Sequence, residues 1–231
     1  MNVYQVINSL RMAGLLGAAA LVAACSTTDL PEVSADGLEL VHGTRVDAVY
    51  RVPEADLGQY SRIDIAEVKV SFRANWLRDQ TQSTRSLSHR VSQEDADQIK
   101  AAIADSFERI FTEELEKGGY QVVSGGDPKG DNSDLLLLIP AIVDLDVAAP
   151  DNLTPGRTRS YTASAGSMAL ELEFRDSITG DLLGRIYDSR EAPDNGRMMI
   201  TNSVTNKSEA DRMLRRWARM LVEGLDKAHG K

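Results

Sequence analysis

Two short segments of the chain alternate apolar and polar residues with a period of two. Ile63 and Ile65 follow this pattern, residues 68–72 repeat it, and the period breaks once at Ala66 and Glu67. Alternation of this kind is typical of a strand with one buried face, and a single break indicates a bulge at which the strand changes face. The pattern therefore predicts one bulged strand in this region.

Other apolar segments lack this alternation. Leu135–Ile139 consists entirely of apolar residues, which favours a central strand covered on both faces. Pro140 has no amide hydrogen to give to a neighbouring strand, so we expect a bulge there. Shorter strands are predicted at Val46–Tyr50, at a sheet edge, and at Tyr120–Val123.

One longer segment carries apolar residues at helical spacing from Ile99 to Phe111. Ser92 can cap the free amides at the start of this segment, and Gly118 and Gly119 can end it. These signals predict an amphipathic helix between the cap and the glycine pair.

A second amphipathic helix is predicted from Ser208 to Lys227. Its apolar stripe includes Leu214, Trp217 and Leu221. Ser208 followed by an acidic residue three positions later is a candidate cap.

Turn-forming residues separate two alternating segments in the last third of the chain. Ala169–Phe174 and Leu182–Tyr187 flank Asp176–Gly180, a pattern that predicts an antiparallel hairpin with Gly180 at a positive φ.

The order of these elements predicts the α+β class. We expect a two-layer sandwich in which two amphipathic α-helices pack on a mostly antiparallel β-sheet, as a single domain over residues 53–228. Residues 78–90 are polar and lack apolar anchors, so we expect a loop there.

The most apolar segment of the chain lies near its start. Arg11 is followed by uncharged residues 12–24, which end in small side chains directly before Cys25, the one cysteine. This is the pattern of a signal peptide, and the end of it resembles the lipobox of bacterial lipoproteins. We therefore predict that residues 1–24 are removed and that Cys25 is the lipid attachment site. The predicted lipobox residues are Val22, Ala23 and Ala24.

Two alternatives remain for this segment: an uncleaved anchor, or an ordinary secretory peptide beside an incidental cysteine. A membrane-spanning helix needs about 20 apolar residues, and this segment is shorter. By resemblance to enterobacterial sorting, Ser26 after the cysteine indicates the outer membrane. We expect a periplasm-facing protein held by N-terminal acyl chains, with residues 25–52 as a tether and irregular lead-in.

Acidic residues outnumber basic ones, and the 231-residue chain has a formal net charge of −9. Residues 1–24 contain Arg11 and no acidic residue, so the processed chain would carry −10. Such a surface repels polyanions, which argues against nucleic acid as a partner. Another envelope protein is the expected partner.

Four arginines lie within about a third of the circumference of the second predicted helix, opposite its apolar stripe. They could bind phosphates of lipid head groups or an acidic partner. Alternatively, they form a solvated face in which Glu209 and Glu223 pair with them at helical spacing. The four residues are Arg212, Arg215, Arg216 and Arg219.

The sequence offers no arrangement typical of a catalytic or metal site. His42, His89 and His229 are too scattered for a ligand set, and no serine stands in a nucleophile motif. Asp144 and Asp146 could present paired carboxylates on one strand face or a simple polar face. We therefore predict no catalytic residues, no metal and no cofactor.

An ordered set of turn and packing residues between about Asp36 and Asp226 resembles a family of bacterial lipoproteins, domain of unknown function 3313. The resemblance implies a lipid-anchored α+β domain without an assigned activity, so it supplies no catalytic residues. The matching positions are Pro53, Asp56, Leu57, Tyr60, Val70 through Trp76, Gly118–Tyr120, Ala149–Pro150, Gly156–Arg157, Ser164–Gly166, Arg175–Ser177, Thr179–Gly180, Trp217–Ala218 and Gly224–Asp226.

An anchor joined to a domain without catalytic motifs predicts a non-enzymatic protein that binds another envelope component. The sheet edge and the four arginines are the candidate contacts. The alternative is a small-molecule or lipid-binding module whose cavity is lined by Leu135–Ile139 and the helix faces.

Overall fold

The computed structural model describes residues 30–83, 91–123, 125, 132–147, 160–162, 166–192, 199–201 and 203–231. The predicted signal peptide, lipobox and Cys25 lie outside these residues, as do His89 and Ser164.

An eight-stranded mixed sheet forms one layer of the fold, and helices form the other. The strand order is β1-β2-β9-β8-β6-β3-β5, with β4 also paired to β6, and β7 pairs separately with β10. The strands are β1 (Glu39–Leu40), β2 (Ala48–Arg51), β3 (Arg62–Ile65), β4 (Lys69–Phe72), β5 (Gln121–Val123), β6 (Leu135–Asp146), β7 (Ser160–Thr162), β8 (Ser167–Asp176), β9 (Leu182–Glu191) and β10 (Met199–Thr201). The helices are α1 (Trp76–Ser83), α2 (Gln93–Lys117) and α3 (Ser203–Ala228). The predicted α+β class is confirmed.

The sheet combines long antiparallel pairs with short parallel ones. β6, β8 and β9 pair antiparallel, with β8 and β9 forming the predicted hairpin, and Gly180 in their turn has a φ of +74°. β3 pairs parallel with both β5 and β6. Helix α2 precedes β5 and returns the chain to the same end of the sheet, which makes this parallel pairing possible.

The predicted bulged strand of residues 63–72 is two separate strands. β3 and β4 lie end to end along the same side of β6, with Ile65 opposite Leu138 and Lys69 opposite Ala141. The break in period at Ala66 and Glu67 therefore marks the gap between two strands.

Pro140 does not form the predicted bulge, because it pairs in register with Leu172 of β8. It stands opposite the gap between β3 and β4. The register of β6 shifts instead between Val143 and Asp146, where Asp144 has a φ of +51°.

Helix α2 begins at the predicted cap. The Ser92 side chain accepts a hydrogen bond from the Asp95 amide at 3.1 Å, and the Asp95 side chain accepts one from the Ser92 amide at 2.8 Å. Gly119 follows the helix with a φ of +86°, as a helix-ending glycine does.

The predicted loop at residues 78–90 is wrong in its first part, because α1 occupies Trp76–Ser83. Trp76 is buried, stacks on Phe72 with 3.8 Å between ring centroids, and donates a hydrogen bond from Nε1 to the Val147 carbonyl. One anchoring tryptophan therefore holds a helix that lacks an apolar stripe.

Helix α3 begins at Ser203, earlier than the predicted Ser208, so the proposed cap lies inside the helix. The apolar stripe starts only after the first turns, and for that reason the pattern placed the start too late. Its buried residues include Leu214, Trp217 and Leu221.

The main core lies between one face of the sheet and helices α2 and α3. It joins buried residues such as Phe107 of α2, Leu138 of β6, Leu172 of β8 and Leu221 of α3. On the other face of β6, Leu137 is only half-buried, so the strand is central but is not enclosed on both faces as predicted.

The predicted irregular lead-in contains two strands of the main sheet. β2 pairs with β9 on one side and with β1 on the other, so β2 is not an edge strand as expected. Among the described helices, none is both long and apolar enough to cross a membrane.

Candidate functional site

An apolar cleft of about 440 Å³ lies between the C-terminal half of α3 and the sheet. Leu172, Phe174 and Ile186 line it from β8 and β9, and Trp217 and Leu221 line it from α3. The loop between β1 and β2 completes the wall. This volume falls within the range of about 300–1,000 Å³ that is usual for small-molecule sites.

Gly224 of α3 keeps part of this cleft open. A Cβ atom at this position would meet no heavy atom within 4 Å, and the residue lines the cleft. A larger side chain at position 224 would therefore project into open space. This makes Gly224 the position from which the cleft can be filled.

A buried carboxylate holds α3 against the sheet through Trp217, which lines the cleft. Asp188 of β9 is fully buried and accepts a hydrogen bond from Trp217 Nε1 at 2.6 Å. It also accepts hydrogen bonds from Arg190 Nη2 at 2.8 Å and from the Asp47 amide at 3.0 Å. Hydrogen bonds to the Asp188 side chain thus link α3, β9 and the start of β2.

A second depression, of about 580 Å³, adjoins the apolar cleft and contains all four predicted arginines. Arg45, Met220 and Glu223 line both cavities, and Arg45 forms an ion pair with Glu223 where the two meet. The remaining lining residues are Ser208, Asp211, Arg212, Arg215, Arg216 and Arg219.

Three of the four arginines form ion pairs. Arg212 pairs with Glu209 at 3.0 Å, as the solvated-face alternative predicts. Arg215 and Arg219 instead bind Glu114 of α2 at 2.9 and 3.2 Å, and join the two helices. Glu223 pairs with Arg45, not with an arginine of its own helix.

Arg216 differs from the other three. Its side chain is exposed, and within the described ranges no ion pair is found for it. Among these four guanidinium groups, Arg216 is therefore the most available to a ligand.

Glu114 is the central acid between α2 and α3. Burial disfavours its charged form, but hydrogen bonds from Lys117, Arg215 and Arg219 outweigh this effect and lower the pKa of Glu114 from 4.5 to about 2. The carboxylate is therefore charged throughout the physiological range.

The low pKa of Glu114 predicts a loss of stability in acid. Because the folded pKa is depressed, the stabilisation is fully present above the unfolded value and is lost as pH falls towards about 2. We expect Glu114→Gln to lower the free energy of unfolding by roughly 1–2 kcal/mol near pH 6, after allowance for screening at the exposed arginines. This difference should shrink towards pH 2. Urea denaturation across this pH range measures it, and a constant difference would contradict the assignment.

The remaining chemically interesting residues lie apart from one another. His42 Nε2 is 3.0 Å from Glu32 Oε2, and His229 Nδ1 is 2.9 Å from the Leu225 carbonyl oxygen. Asp146 accepts a hydrogen bond from Arg73 at 2.7 Å. In the portion of the chain that is described, no group of three or more His, Cys, Asp or Glu residues could hold a metal ion.

Asp144 and Asp146 are not presented as a pair on a regular strand face. The register shift of β6 falls at Asp144, which is exposed, whereas Asp146 is engaged by Arg73. The regular alternation that would place both carboxylates on one face is therefore interrupted.

Sequence reasoning located the arginines but missed the cleft beside them. The cleft joins residues from β2, β8, β9 and α3 that are far apart in the chain, so no local motif marks it. The one local signal is Gly224, a glycine inside an amphipathic helix, where glycine is unfavourable without a reason of packing or function.

Comparison with solved structures gives distant similarity. A PelC dodecamer from Paraburkholderia phytofirmans is 11% identical, with 75% of this chain and 95% of that chain covered and a TM-score of 0.38. A neuraminyllactose-binding hemagglutinin homolog from Helicobacter pylori is 13% identical, with 74% and 87% covered and a TM-score of 0.41. A DUF330 protein from Xanthomonas campestris is 11% identical, with 73% and 88% covered and a TM-score of 0.34. At these values the similarity carries no inference about function.

No curated protein matches the sequence. The sequence model of a family described as "Protein of unknown function (DUF3313)" matches residues 33–221, which is most of the chain. The protein therefore belongs to the DUF3313 family.

Proposed function

We propose that this protein is a lipid-anchored, periplasm-facing protein of the outer membrane whose folded domain binds a small apolar molecule without catalysis. The apolar cleft between α3 and the sheet is the observation that carries this proposal. The anchor is Cys25, exposed as the new N-terminus after removal of residues 1–24.

The cleft favours an apolar ligand because most of its exposed lining is apolar. A guest there would leave water and contact Phe174, Ile186 and Leu221, with about 0.8 kcal/mol gained for each buried CH₂ group. Asp188 holds Trp217 in place, so the wall on the α3 side is fixed before a ligand arrives. A preformed wall reduces the ordering that binding requires.

Binding to another envelope protein is the second candidate function. Its support is the exposure of Arg212 and Arg219, whose side chains are 68% and 64% accessible. However, both are already in ion pairs, and the strands at the edges of the main sheet, β1, β4 and β5, are short. Short edges give a partner strand few backbone groups to pair with. The cleft is therefore the better supported site.

Filling the cleft at Gly224 tests the proposal. We expect the purified domain to bind the neutral fluorescent probe N-phenyl-1-naphthylamine saturably. Gly224→Leu should weaken this binding about tenfold, or about 1.4 kcal/mol, because the leucine side chain would occupy cleft volume that the probe needs. The melting temperature should not fall, because leucine is a better helix former than glycine. Probe titration and thermal unfolding measure the two effects.

Gly224→Ala is the matched control, because it gives a similar gain in helix propensity but adds little volume. It should keep most of the probe affinity. If the wild-type domain does not bind the probe, or if Gly224→Leu binds it as tightly as the wild type, the proposed function is wrong.

A further inference from the structure

The apolar cleft and the arginine-lined depression share one border, formed by Arg45, Met220 and Glu223. We infer that the ligand is a single-chain phospholipid, with its acyl chain in the cleft and its anionic phosphate among the arginines. This inference rests on the proposed function and names the ligand class. It follows from an apolar and a cationic cavity that lie side by side.

The depression is positively charged although the chain as a whole is acidic. Five of its lining residues are arginines and two are acidic, whereas the whole chain has a net charge of −9. Ion pairs bring three further carboxylates and two further cations to these residues, and Lys117 pairs in turn with one of the added carboxylates, Glu114. The network therefore keeps an excess of positive charge. The added residues are Glu113, Glu114 and Glu209, and Arg109, Lys117 and Lys207. An anion is therefore complementary to this surface.

Guanidinium groups favour a phosphate head. Arginine presents a planar fork of donors that can bind two phosphate oxygens at once. Arg216 is exposed in the depression, with no ion pair found for it within the described ranges. Arg212 is also exposed, but it holds the buried Glu209 through Nη1. A phosphate group can bind Arg216 and the other nitrogens of the Arg212 guanidinium without breaking the contacts of Glu209 or Glu114.

The ion pair of Arg45 and Glu223 at the border between the cavities can be replaced by an ion pair of Arg45 with a ligand. The side chains of Arg45 and Glu223 are 64% and 50% accessible, and an ion pair this exposed contributes little stability. A phosphate placed above the cleft can replace Glu223 as the partner of Arg45. The ion pair thus limits access to Arg45 until an anion competes for it.

The size of the cleft matches a single acyl chain. Its volume of about 440 Å³ lies in the lower part of the range of about 300–1,000 Å³ that is usual for small-molecule sites. We therefore place one chain in the cleft.

Three ligands with the same 14-carbon chain test the inference on the mature protein, each below its micelle concentration. They are 1-myristoyl lysophosphatidate, the matching lysophosphatidylcholine and myristate. The affinity of each is measured in a titration, by its displacement of the neutral probe. We expect the lysophosphatidate to bind about tenfold more tightly than the other two, since charge-assisted bidentate contacts are the strong ones. Arg216→Gln should weaken lysophosphatidate binding about three- to tenfold and leave the affinity for the neutral probe unchanged.

Glu223→Gln should act in the opposite direction. It removes a negative charge at the border and frees Arg45, so the affinity for lysophosphatidate should rise. Arg78→Gln is the control, because it removes an exposed arginine of α1 outside both cavities.

The outcomes separate this inference from the proposed function. If the probe binds but all three lipids bind equally, or if Arg216→Gln and Glu223→Gln change nothing, the ligand class is wrong and the cleft remains a binding site. Binding only to anionic phospholipid vesicles, without binding to the monomers, assigns the arginines to a bilayer surface and overturns the inference. Absence of probe binding overturns both proposals.

Discussion

Replacing Asp188 with alanine is expected to lower the free energy of unfolding by about 3–5 kcal/mol, which is the usual cost of removing one partner from a buried charge pair. Asp188 is fully buried and accepts hydrogen bonds from Trp217, Arg190 and the Asp47 amide. Without the carboxylate, these donors lose their acceptor while the surrounding core still excludes water. Denaturation with guanidinium chloride measures the loss.

Asp188→Asn separates the role of charge from that of hydrogen bonding. The amide oxygen can still accept from Trp217 Nε1, but no charge faces Arg190, so we expect a smaller loss of about 1–3 kcal/mol. A loss below about 1 kcal/mol for the alanine variant would show that the surroundings rearrange to satisfy these donors.

The second large effect is expected at Cys25. Cys25→Ala should leave an unprocessed precursor without acyl chains, and its attachment through lipid should be lost completely. The reason is that each buried CH₂ group contributes about 0.8 kcal/mol, so two or more chains hold a protein to a bilayer almost permanently. Membrane fractionation, labelling with a fatty-acid probe and intact-mass analysis measure the change.

Ser26→Ala is the control for this experiment, because it changes the neighbouring residue and keeps the cysteine. It should be processed and labelled as the wild type is. The anchor assignment fails if Cys25→Ala is still cleaved and labelled, or if the native protein retains residues 1–24.

Elements governed by local signals were predicted well from the sequence. Helix α2 has its cap at Ser92, its apolar spacing from Ile99 to Phe111 and the glycines that stop it at Gly118 and Gly119, all close together in the chain. The hairpin of β8 and β9 likewise depends on one turn. For such elements the local preference and the final fold agree.

Elements governed by distant partners were not predicted. Helix α1 depends on the hydrogen bond from Trp76 to Val147, and the separation of β3 from β4 depends on their shared partner β6. The periodicity of residues 63–72 does not show which strand lies beside them. It therefore could not distinguish a bulge within one strand from a gap between two strands.

In the candidate site, too, the features set by local spacing were predicted and those set by distant partners were not. Helical spacing brought the four arginines to one face and predicted the pair of Arg212 with Glu209. It could not predict Glu114, which lies on another helix and binds Arg215 and Arg219. The cleft could not be predicted either, because its lining residues come together only in the complete tertiary fold.

The strand order also constrains how this chain reaches its native state. Ala48 pairs with Tyr187 and Ile63 with Leu136, so β2 and β3 acquire these partners in the main sheet only when much of the later chain is available. Closing such long loops slows folding, whereas α2 and the β8–β9 hairpin need only nearby residues. We therefore expect the N-terminal strands to join the sheet late, and a nascent chain that ends before Leu182 has no β9 against which β2 can assemble.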